Sequence, residues 1–197
     1  MILRRRIQTQ KTRKAQKTAD DRQYFLDTVY PIVSHEKMQG TRKLVQHGDV
    51  SVFAHSLAVA AYSIKLANKL GIKCDRRSLI RGALLHDFFL YDWHKINDIG
   101  DGLHGFAHPN TASKNASKYF RLNKKELDII RKHMWPLTLT KLPRYRESWL
   151  VCAADKYCSL LETFGMNKYN DHTFLKRHHS AAGRNKNTTG RKIPERR

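Results

Sequence analysis

Cysteine is scarce in this chain. The three in 197 residues, Cys74, Cys152 and Cys158, form no CxxC pair and no zinc-knuckle spacing. An odd, unframed set of thiols excludes a disulfide scaffold and a thiolate metal knot, and it predicts a cytoplasmic protein with free thiols. Cys152 and Cys158 fall in an apolar run and read as packing residues. Long apolar runs are missing too: no window approaches the ~18 apolar residues of a membrane span. The start, Met1-Ile2-Leu3-Arg4-Arg5-Arg6, is basic, but no apolar stretch follows it, so it does not read as a secretory signal. An organellar transit peptide shares that basic, acid-poor composition. Internal repeats and alternating strand patterns are also lacking, so the chain reads as all-α.

Acidic residues are few as well, 17 against 38 Lys and Arg, for a formal net charge of +21. The excess is concentrated at the ends. Residues 1–18 hold seven Lys/Arg and no acid, and residues 176–197 hold eight with Glu195 as the one acid. The expected organisation is a basic N-terminal tail over 1–18, disordered or a frayed helix, a helical domain over 19–167, and a disordered basic tail over 168–197. With 40% apolar and 10% aromatic residues, the middle can bury a sizeable core.

Helical periodicity begins after Asp20-Asp21, with Tyr24, Phe25, Leu26, Val29, Ile32 and Val33. A second piece spans about Glu36 to Gln46 and ends at the turn His47-Gly48-Asp49. The clearest helix, Val50 to Leu70, is stopped by Gly71, and its inner stripe is Val52, His55, Val59, Tyr62 and Leu66. The next starts at the N-cap Asp75 and runs into Leu84-Leu85-His86-Asp87-Phe88-Phe89-Leu90. Gly100, Gly102 and Gly105 punctuate the region after it. His104 and His108 have i, i+4 spacing, yet Gly105 and Pro109 argue for a helix that starts only at Pro109, with His108 at its mouth. Asn123 with Glu126 forms a capping-box start for a helix ending near His133. The last helix, Arg144 to Phe164, carries Asp155 within an apolar run.

Composition alone yields roughly 0.7 His-Asp dipeptides, so His86-Asp87 carries weight only if other ligands join it. Its difficulty is energetic. An isolated carboxylate among bulky apolar side chains costs several kcal/mol unless a cation, hydrogen-bond donors or a metal compensates it. No Lys or Arg lies between Arg81 and Lys95. Asp155 poses the same problem in another helix. The inward polar residues are then His55, His86, Asp87, His108, His133 and Asp155, an N/O set with no thiolate, suited to Fe, Mn, Zn, Co or Ni. Six ligands exceed what one open ion needs, which leaves room for two. The competing reading scatters the six and neutralises each Asp with an unrelated Lys or Arg.

The order His55, His86-Asp87, His108, His133, Asp155 resembles the ligand signature of HD-domain phosphohydrolases, in the two-metal form with two extra histidines between the pair and the last Asp. The resemblance covers about Val50 to Leu161. It implies an HD-domain-like helical bundle that hydrolyses a phosphate ester or anhydride, often in a nucleotide. The segments Leu85-His86-Asp87, Ala107-His108-Pro109, Arg131-Lys132-His133 and Ala154-Asp155-Lys156 are similar to a small bacterial branch that includes diadenosine tetraphosphate hydrolases. There are departures. Leu90 stands where the stringent-response hydrolases and the nucleoside-monophosphatase branch place an acid, and the Gly-Tyr-Pro extension of cyclic-dinucleotide phosphodiesterases is missing.

On this reading Asp87 bridges two divalent ions, His55, His86 and Asp155 serving mainly one and His108 and His133 the other, and water from solvent attacks phosphorus. Lys95, Arg131, Lys132 and Lys156 are the candidate phosphate-binding cations. Asp92, His94 and His104 are candidates for leaving-group protonation or pocket lining. The expected partner is a small phosphorylated molecule, with non-specific RNA or anionic-surface contact through the basic tails. Two alternatives remain open: a di-iron oxygenase on the same fold, and a basic nucleic-acid-associated protein with a structural metal.

Overall fold

The structure, a computed structural model, describes residues 2–92 and 104–166. Among the described residues seven helices carry the fold: α1 Ile2–Val33, α2 Glu36–Gly40, α3 Val52–Lys69, α4 Arg76–Leu85, α5 His104–Tyr119, α6 Lys124–Lys132 and α7 Arg146–Thr163. A single 3-10 turn, Thr41–Lys43, and a two-stranded antiparallel hairpin, β1 Val45–His47 with β2 Val50–Ser51, link α2 to α3. The all-α reading holds; among the described residues the hairpin and the 3-10 turn before it are the elements not foreseen.

α3 is the centre. It packs on α4 and α7; α6 closes against α4 and α7, α5 lies on α6, and the C-terminal part of α1 covers α4. Core residues come from each: Ile32, Phe53, Val59, Leu79, Ile80, Leu84, Ala112, Ile129, Ile130 and Val151 are all buried. The start signals act as their chemistry dictates. The Asp75 carboxylate accepts the Ser78 N–H at 3.0 Å, and Asn123 and Glu126 exchange both bonds of a capping box. At the crossing of α4 and α6, a Cβ on Gly82 would lie 2.5 Å from Ile129 Cδ1 and 3.0 Å from its Cβ and Cγ2, so glycine there sets how closely the helices approach.

Three boundaries differ from the sequence reading. α2 stops at Gly40 rather than Gln46, because β1 pairs with β2 around Gly48, whose φ of 54° is a left-handed turn. α5 begins at His104 rather than Pro109. Pro109 is the sixth residue of α5, where it removes a backbone hydrogen bond and crowds the carbonyl four residues back, a penalty this helix absorbs. Of the two readings of 1–18, the helical one is seen. α1 runs outward from its packed end, and its described side chains from Gln10 to Asp20 are all exposed. Once a helix is nucleated, each further residue adds a hydrogen bond, and Arg, Lys, Gln and Ala are good helix formers. The tail at 168–197 lies outside the described residues.

Candidate metal centre

The six inward residues are delivered by a few local devices. His55 sits in the first turn of α3, behind the N-cap Ser51, whose hydroxyl accepts the Ala54 N–H at 3.2 Å. His86 and His133 are the C-caps of α4 and α6. Their rings fold back identically: Nδ1 donates to the carbonyl three residues earlier, Ala83 O at 2.7 Å and Ile130 O at 2.9 Å. His108 comes from α5, Asp155 from the middle of α7, and Asp87 from the turn after α4. Leu90, three residues on, has a φ of 63°, and Asn115 Nδ2 donates to the Phe88 and Phe89 carbonyls, so this turn is held from α5.

All six converge. Asp87 Oδ2 lies 3.2 Å from His86 Nε2 and 3.7 Å from His55 Nε2, while its Oδ1 lies 3.2 Å from His108 Nε2 and 3.4 Å from His133 Nε2. Asp155 Oδ1 is 3.2 Å from His55 Nε2 and 3.6 Å from His86 Nε2. His108 and His133 meet Nε2 to Nε2 at 2.9 Å. None of the six is more than 7% exposed. The scattered alternative therefore fails: among the described residues, no Lys or Arg reaches Asp87, and Lys156 Nζ stands 3.7 Å from the outer oxygen of Asp155.

Burial pushes the two carboxyls toward neutrality, but the surrounding imidazoles win and hold both Asp87 and Asp155 well below the ordinary range. Burial pushes His55 down, yet its hydrogen bonds to Asp155 and Glu162 raise it to about 9. His86, opposed by burial but drawn by Asp87 and Asp155, is also raised. His133 goes the other way, lowered by burial. The cluster thus demands positive charge at its centre, supplied by protons or by a cation.

A metal suits it. With Nδ1 committed as a donor, the neutral tautomer of His86 and of His133 leaves an Nε2 lone pair facing carboxylate oxygen. His86 Nε2 and Asp87 Oδ1 are buried with no hydrogen-bond partner. Ligands about 2.0–2.2 Å from one ion sit roughly 3.0–3.5 Å from each other, the spacing found here. Two ligand groups fall within metal-binding reach, His55 with His86 and Asp155, and His86 with Asp87 and His133.

The remaining expected residues are divided. Lys156 Nζ donates to His133 O at 2.9 Å and lines the cluster. Arg131 donates to Ser113 Oγ at 3.3 Å and is otherwise exposed. Lys132 is paired with Asp128 at 2.6 Å, in a network with Ser148 and the Arg144 N–H that includes none of the six. Asp92 is half-buried at the end of the described segment. His94, Lys95 and the His104 side chain lie outside the described residues. Two contributors were not foreseen. Glu162 Oε2 accepts from His55 Nδ1 at 2.8 Å, and Gln46 Nε2 donates to Asp87 Oδ2 at 2.7 Å. Glu162 follows Asp155 by seven residues, two turns along one helix face, a signal present in the sequence. Gln46 arrives through the hairpin and had none.

This helical fold carries a buried His/Asp cluster able to hold metal, and the HD domain family model matches residues 52–160. The chain belongs to the HD domain family, whose members are in general metal-dependent phosphohydrolases. Comparison with curated proteins and with solved structures found no match for the chain.

Proposed function

We propose that the protein hydrolyses a phosphate ester or anhydride in a small phosphorylated metabolite, with a nucleotide as the leading class. The observation that carries the reading is the division of Asp87: each carboxylate oxygen faces its own imidazole pair. Asp87 would thereby be shared by two divalent ions, one held with His55, His86 and Asp155, the other with His108 and His133. Bound there, such ions polarise the phosphoryl oxygens and lower the pKa of water at neutral pH.

The protein's own groups supply order. The Ala83 and Ile130 carbonyls fix the His86 and His133 tautomers, and Gln46 fixes the Asp87 carboxylate. Lys156 places a cation beside the cluster for phosphate charge, its Nζ tethered to His133 O. A thiol nucleophile is disfavoured: burial pushes Cys152 up to about 11 and Cys158 up to about 12, so both stay protonated. The hydrolase unit is assigned to 19–167, and Arg131, Lys95, Asp92 and His104 are assigned to it as further substrate contacts. The basic ends are assigned to non-specific anionic contacts. No described helix is long and apolar enough to cross a membrane.

The test is chelator-stripped protein reloaded with Mn²⁺, Fe²⁺, Co²⁺, Ni²⁺ or Zn²⁺ and assayed on a panel of phosphomonoesters, phosphodiesters and nucleotide anhydrides, with dissolved oxygen followed in parallel. Metal-dependent phosphate release supports the proposal. Oxygen consumption without phosphate release would assign the site to oxygenation instead.

A further inference from the structure

One buried acid stands behind the cluster rather than in it. Glu162 is 3% exposed, lies two turns after Asp155 on α7, and offers its Oε2 to His55 Nδ1 at 2.8 Å. His55 itself is fully buried, and its opposite nitrogen, Nε2, points to Asp155 Oδ1 at 3.2 Å. The imidazole is therefore clamped between two carboxylates of one helix, each addressing a different nitrogen. His86 and His133 differ: their Nδ1 atoms are held by neutral backbone carbonyls.

We propose that Glu162 is a positioning residue that sets the cation affinity of the His55 side of the cluster. It rests on the metal-binding reading above and adds a specific asymmetry to it. As the acceptor at Nδ1, Glu162 fixes the His55 tautomer with the Nε2 lone pair inward, so no ring flip is needed to ligate an ion. Its charge makes that lone pair more basic than a backbone carbonyl would, since a carboxylate acceptor strengthens imidazole as a ligand. Geometry couples the two carboxylates as well. Asp155 and Glu162 share the face of α7 that packs on α3, so the helix carries a ligand and the support of a ligand as one rigid piece.

Co²⁺ titration of the metal-free protein, read by its ligand-field absorption, tests this. Glu162→Gln keeps the shape and an acceptor oxygen but removes the charge. The variant is expected to bind Co²⁺ about 10- to 100-fold more weakly than wild type, the usual cost of losing such a support. Its metal-free melting temperature should fall as well, because Glu162 also holds the protonated His55, so the loss of affinity is the readout that carries the role. Affinity within twofold of wild type overturns the proposal, and so does a fall in metal-free melting temperature with affinity unchanged, which would make Glu162 merely structural. Should the variant not fold, ¹⁵N shifts of His55 in Zn²⁺-loaded wild type decide: a protonated Nδ1 with ligated Nε2 supports the role, and a ligated Nδ1 overturns it. If wild type takes up no Co²⁺ at all, the metal reading itself fails, an outcome distinct from failure of the Glu162 role.

Discussion

Asp87 is the residue whose environment explains most. A buried carboxylate with four imidazole nitrogens within 3.7 Å and no Lys or Arg partner among the described residues is tolerable only if the centre of the cluster is positively charged. Asp87→Asn keeps the volume and removes the anion. It is expected to lose bound metal and to cut phosphohydrolase kcat by at least about 100-fold, since a ligand should matter no less than its support. Metal analysis and steady-state kinetics on the folded variant check this. Full metal content with unchanged rate would remove Asp87 from the site.

The same groups set a pH dependence with a definite sign. His55, at about 9, and His86, also raised, are protonated in the metal-free fold where unfolded histidine has lost its proton. Their contribution is complete below about pH 6.5 and disappears as pH rises toward 9. Asp87 and Asp155, held low, contribute above about pH 3.9 and lose that contribution as pH falls through their lowered folded values. His133, lowered, opposes folding as pH drops below about 6.5. Chelator-stripped protein should therefore melt highest near pH 6 and lower at pH 9. The stabilisation added by metal should grow over that interval, because metal and proton compete for the same nitrogens. Thermal melts across pH 5–9, with and without metal, measure it. A metal-free melting temperature that rises from pH 6.5 to 9 would contradict the assignment.

At the scale of elements, the helices with strong local signals were legible. Asp75, Asn123 with Glu126, and the stripe through His55 and Val59 carried their own start and facing information. The six residues of the cluster were legible for a related reason: polar residues on apolar helix faces are conspicuous. What escaped depended on pairing at a distance. The β1–β2 hairpin is too short to show alternation, so Gln46 was placed in a helix end and its bond to Asp87 went unseen. The early start of α5 was hidden by Pro109, whose cost this helix absorbs. The role of Gly82 also depends on a partner distant in sequence, the Ile129 side chain of α6. Gly82→Ala should gain up to ~1 kcal/mol of helix propensity and lose about 1–3 kcal/mol by overpacking against Ile129, for a net fall in stability. Urea unfolding measures it, and an unchanged or raised midpoint would show that α4 and α6 separate freely.

For the whole molecule, charge and core are spatially separate assignments. The described side chains of α1 from Gln10 to Asp20 touch no core, whereas Val29, Ile32 and Val33 are buried in it. Removal of 1–18 should change unfolding free energy by no more than about 0.5 kcal/mol and leave metal content intact, as expected for exposed residues. The same deletion should flatten the salt dependence of any RNA binding, since seven basic residues go with it. Gel-shift titrations at several salt concentrations, beside calorimetry, check both.

The central claim is that the six-residue cluster is a metal centre, and elemental analysis tests it most directly. Protein purified without added metal, alongside Asp87→Ala, would be measured for Mn, Fe, Co, Ni and Zn per chain. The account predicts about two ions per wild-type chain, as the shared carboxylate of a two-ion site requires, and loss of metal in the variant. Wild-type protein that holds no ion after purification, and takes none up on reconstitution, would contradict it.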